Sequence, residues 1–116
     1  MIKINNVELE EIDMLDADTM EIVEDIVNNV EAESDRISKM KSMSEMIREQ
    51  CNYVAECFDK LFGEGTGDLI FDGKQNMRVA ISSFEELMNY IGSQREETEK
   101  EFSKYSPNRA TRRQRK

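Results

Sequence analysis

Residues 36–62 read RISKMKSMSEMIREQCNYVAECFDKLF. Within them Ile37, Met40, Met43, Ile47, Cys51, Val54, Phe58 and Leu61 recur at intervals of three and four. That is the period that lines up side chains on one face of an α-helix. The spacing predicts one continuous helix over residues 36–62, about 40 Å long at 1.5 Å per residue. A rod of that length packs along other helices or offers one end to another chain. Met40, Met43 and Met46 fall toward its N-terminal half. Their flexible thioethers suit apolar docking on an adaptable partner, and equally suit filling a core.

Upstream, the period changes twice. In MIKINNVELE, Ile2 and Ile4 share one parity and Val7 and Leu9 the other, separated by Asn5-Asn6. Asparagine tolerates positive φ, so two short strands joined by a two-residue turn are predicted. From Asp16 a helical period takes over: Asp16 or Asp18 can cap the first turn, and Met20, Val23, Ile26 or Val27, and Val30 follow. Between Glu8 and Asp35 lie twelve acidic residues and no basic one. So long a block goes beyond what capping requires and reads as a solvated face or a docking surface for a basic segment.

Downstream, four of the five glycines fall within residues 63–73, GEGTGDLIFDG, and must end the helix. A Walker loop needs Ser or Thr after its lysine, but Gly73-Lys74 is followed by Gln75. A dinucleotide loop needs a strand before it, and here a helix leads in. No acidic ladder ending in glutamate is present for calcium. A structural turn remains, with Leu69, Ile70 and Phe71 as an apolar plug. A last helix is predicted over residues 76–104, its stripe formed by Met77, Ile81, Phe84, Leu87 or Met88, and Ile91, and ended by Pro107.

The fold class that results is mainly α: a short N-terminal β-hairpin followed by a three-helix bundle, with a Gly-rich loop between helices 2 and 3. Residues 1–105 form one mostly helical domain and residues 106–116 a basic, disordered tail. Ile47, Val54, Phe58, Leu61, Ile81, Phe84, Leu87 and Ile91 are the expected core.

Composition narrows the function. The 116 residues suffice for one modest core. Residues 1–105 carry a net charge of −14 and residues 106–116 carry +5, giving −9 for the chain. An acidic body repels nucleic acid and anionic membrane. The longest apolar runs fall far short of a membrane span, and the N-terminus lacks the pattern of a signal peptide. Two cysteines without a secretion signal point to a reducing cytoplasm. Cys51 and Cys57 stand six apart on one helix and cannot close a disulfide. The chain has no histidine, which removes the commonest acid–base residue and nucleophile partner. Asp13, Asp16 and Asp18 are read as helix-start carboxylates rather than a catalytic pair. No enzyme, cofactor or metal site is expected.

The run FDKLFGEGTGDLIFDGKQN at residues 58–76, followed by SFEELMNYI at residues 83–91, resembles small proteins of the tail-gene clusters of long-tailed phages and prophages. The closing NRATRRQRK is similar to the Asn-Arg-Ala-x-Arg-Arg ending common among them. The resemblance covers the second half of the chain well and the first half only in its helical, acidic character. It implies a tail assembly chaperone that binds the tape-measure protein, keeps it soluble until tail-tube subunits polymerise, and works in the cytoplasm of the bacterial host. Arg109, Arg112, Arg113 and Arg115 are the expected electrostatic contacts. The tail-tube protein is a further expected partner. Homo-oligomerisation is another, with the tail of one copy on the acidic block of the next. The rival reading makes the tail an RNA- or DNA-binding strip, which the missing aromatic and the −14 body disfavour.

Overall fold

A computed structural model gives the fold, and it describes residues 1–105. The element order is β1 (Ile2–Ile4), β2 (Val7–Leu9), α1 (Ala17–Ser38), α2 (Met43–Phe62), α3 (Thr66–Phe71) and α4 (Met77–Tyr105). The protein is mainly helical with a short antiparallel hairpin at its N-terminus. The disordered tail expected at residues 106–116 lies outside the described residues.

The hairpin forms as the asparagines require. Asn5 and Asn6 take φ of 51° and 65°, the left-handed pair of a tight two-residue turn. Ile2 then faces Leu9, and Ile4 faces Val7. Ile4 and Leu9 are buried, so one face of the hairpin is core. Its docking is polar as well as apolar. The Asn5 amide N–H donates to Glu86 Oε2 at 2.9 Å, and Asn5 Nδ2 donates to the Ile70 carbonyl at 2.8 Å.

The continuous helix predicted over residues 36–62 does not exist. Residues 39–42 break it, and Ile37 belongs to the last turn of α1, where it is buried. The cause is local: Ser42 has extended backbone and its hydroxyl accepts the Glu45 N–H at 3.4 Å, which starts a new helix. Ser42 and Glu45 have the spacing of a capping box. The first helix accordingly runs past Val30 to Ser38, and α2 is about 30 Å long, not 40 Å.

The described residues therefore hold four helices where three were expected. The added one is α3, six residues inside the glycine stretch. Gly63 and Gly65 have φ of 112° and 93°, which a side chain would strain. Gly67 serves closeness instead: a Cβ there would lie 2.6 Å from both the Ala55 carbonyl oxygen and the Ala55 Cβ. Its N–H donates to Asp59 Oδ1 at 2.7 Å. Helix α3 thus sits backbone-close on α2. Ile70 and Phe71 are buried as the plug required, whereas Leu69 points out, 64% exposed.

Helix α2 is the hub. It packs on α1, α3 and α4, and α1 and α4 share no extensive face. Val54 and Phe58 are fully enclosed, and Cys51 and Cys57 are buried free thiols beside them. Leu87 and Ile91 complete the α4 side as expected, while Ile47, Leu61 and Phe84 are half-buried at the core's edge. Ile81 is a correction: it is 59% exposed. The face of α4 that meets the core runs through Ala80, Ser83, Leu87 and Ile91, rotated away from Ile81. Buried Ser83 remains satisfied because its hydroxyl bonds back to the Val79 carbonyl one turn earlier.

Candidate functional site

Two grooves among the described residues stand out. The first lies between the approach to α1 and the C-terminal part of α4. Met14, Leu15, Ala17 and Met20 form one wall, and Thr98 and Phe102 belong to the other, enclosing about 550 Å³. Met14 is buried at its base, but Leu15 and Phe102 are 53% and 67% exposed. Such large side chains held half in water on a strongly charged protein are costly to leave uncovered.

Polar contacts shape the Met14–Met20 wall. The Ile12 N–H donates to Tyr90 Oη at 3.1 Å, tying the segment before α1 to α4. Asp13 accepts the Leu15 N–H at 3.0 Å, and Asp16 caps α1 by accepting the Thr19 N–H at 3.1 Å. Asp13 and Asp16 therefore order the chain that presents Leu15. Asp18 sits exposed in the first turn of α1, where negative charge favours the helix dipole.

The second groove, about 530 Å³, runs between α1 and α2 and is mixed in character, with Ile22 and Ile26 among charged side chains. Asp25 and Glu33 of α1 and Glu49 and Glu56 of α2 line it with Arg36 and Lys60. Arg36 bridges the two helices, 2.8 Å from Glu33 and 3.4 Å from Glu49, while Lys60 pairs with Glu56 on its own helix at 3.1 Å. Tyr53 and Cys57 also line it. Burial pushes the Cys57 thiol from 9.0 up to about 11, and burial also raises the Tyr53 phenol. The thiol is thus protonated at neutral pH and a poor nucleophile. Tyr53 Oη is buried with no hydrogen-bond partner among the described residues.

The docking residues expected from sequence are placed differently. Met40 lies in the α1–α2 connection, Met43 opens α2 and is 75% exposed, and Met46 is half-buried. They flank a turn instead of lining one rod. Arg109, Arg112, Arg113 and Arg115 lie outside the described residues. Sequence reasoning missed the apolar groove, whose walls are some eighty residues apart and include polar Thr98. The one available signal was Phe102, which with Tyr105 continued the α4 stripe sparsely among polar neighbours. No helix among the described residues is long and apolar enough to cross a membrane.

A family profile aligns with the chain from residue 5, in the hairpin turn, to residue 116 at the basic ending. The chain belongs to that family, a family of unknown function (DUF6673). No curated protein and no solved structure matches it.

Proposed function

We propose that this protein is a binding protein, not an enzyme, and acts as a tail assembly chaperone of a long-tailed phage or prophage. In this reading it holds apolar helical segments of the tape-measure protein in solution, within the bacterial cytoplasm, until the tail tube forms around them. The observation that carries the reading is the open apolar groove with Leu15 and Phe102 exposed at its mouth. A chaperone for a helical chain needs such a groove, and it needs a high charge of one sign to keep the complex dissolved. The −14 of residues 1–105 supplies that charge. The likeness of the glycine stretch and the basic ending to tail-cluster proteins supports the phage setting. Exposed Met43 adds an adaptable contact at the start of α2.

The test is co-expression with the tape-measure protein of the same genome, followed by a solubility assay and a salt-resistant pull-down. Tape measure that is soluble only in company, and co-purifies, is the expected result. Tape measure equally insoluble with and without this protein, with nothing co-purifying, overturns the reading.

A further inference from the structure

We infer that the α1–α4 groove is a seat for one kind of segment: an amphipathic helix whose apolar row is flanked by lysine or arginine. The inference rests on the binding role proposed above and names the chemistry of the partner at that site. The groove itself is apolar, with Met14, Leu15, Met20 and Phe102 able to meet the row of side chains on one helix face. Glu99 lines it, and the segments that form its walls are rich in acidic residues. From Glu8 to Glu24 there are eight acidic residues and no basic one. On the other wall, residues 95–105 hold four glutamates against Arg95, Lys100 and Lys104. Apolar floor and acidic rim together select apolar side chains with positive flanks.

Two other occupants fit less well. The chain's own residues 106–116 carry five basic residues, but their apolar content is Pro107 and Ala110. That segment matches the rim and leaves Leu15 and Phe102 without apolar partners. A second copy joined groove to groove supplies apolar surface but sets acidic rim against acidic rim, which repels.

The probe is a labelled synthetic helix of about 18 residues, five turns, with leucine along one face and lysine on its flanks. Two control peptides replace lysine by glutamate, or leucine by serine. Binding to the full chain is read by fluorescence anisotropy at low and high salt, and mass by light scattering. The leucine–lysine peptide is expected to bind one to one, more weakly in salt, with neither control binding. Leu15→Ser and Phe102→Ser, both surface changes that should keep the circular dichroism spectrum, are each expected to weaken it about tenfold, the loss of one anchor.

Undiminished binding in the Leu15→Ser, Phe102→Ser double variant overturns the site. A tenfold gain in peptide affinity on removing residues 106–116 makes the chain's own end the occupant. A dimer that the double variant abolishes makes it a second copy. Peptide binding through the groove without tape-measure capture leaves the groove standing and sinks the tape-measure role. Tape-measure capture undiminished in the double variant does the reverse.

Discussion

At the scale of single residues, enclosure decides what a substitution does. Phe58 is fully enclosed, so Phe58→Ala should cost about 3–5 kcal/mol, read as a fall in urea midpoint. Ile81 looks equivalent in sequence, yet Ile81→Ser should stay within about 0.5 kcal/mol because the side chain is already in water. Gly67→Ala forces a methyl against Ala55 backbone and should cost about 1–3 kcal/mol. Cys57 carries a pH signature. Its thiol holds its proton up to about 11 when folded but only to about 9 when unfolded. Below 9 both states are protonated and nothing changes. Above it the unfolded chain releases the proton first, so stability falls between about pH 9 and 11. Thermal melts across that range, compared between wild type and Cys57→Ala, isolate this share.

At the scale of elements, local chemistry was readable and long-range placement was not. The Asn5-Asn6 turn and the α1 cap are each specified within a few residues; the turn stands where the sequence put it, and the cap falls on Asp16 of the two candidates Asp16 and Asp18. The α1–α2 break is masked because Ile37, Met40 and Met43 carry the apolar stripe straight across it. The capping pair Ser42 and Glu45 is the one local signal against continuity. Ser42→Ala should therefore cost about 1 kcal/mol, measured by denaturation, an effect that a mid-helix serine would not show. On α4, the large side chains of the stripe point to Ile81, while the helix meets the core through small Ala80 and Ser83. The groove was illegible for a different reason: no local pattern records that Leu15 and Phe102 share one opening.

At the scale of the whole molecule, charge sets behaviour. Eleven basic residues stand against 25 acidic ones in residues 1–105, and ion pairs in the Glu8–Asp35 block reach only Glu33 and Asp35 among the described residues. The folded protein consequently repels itself, and screening relieves this. Raising salt from low to about physiological ionic strength and beyond should lift the melting midpoint, each kcal/mol regained being worth about 4–8 °C. A midpoint that is flat or falls with salt would show that self-repulsion does not govern stability. The same ions weaken a basic partner's hold on the groove, so stability and binding should respond to salt in opposite directions.

The bonds of Asn5 to Ile70 and Glu86, and of Ile12 to Tyr90, span 65, 81 and 78 residues. On a ribosome the hairpin emerges well before the residues that anchor it. Until α4 is clear, Ile4, Leu9 and Met14 have no finished core to enter. During translation, then, the hairpin stays an unfinished apolar surface until residues 70–90 have followed it out.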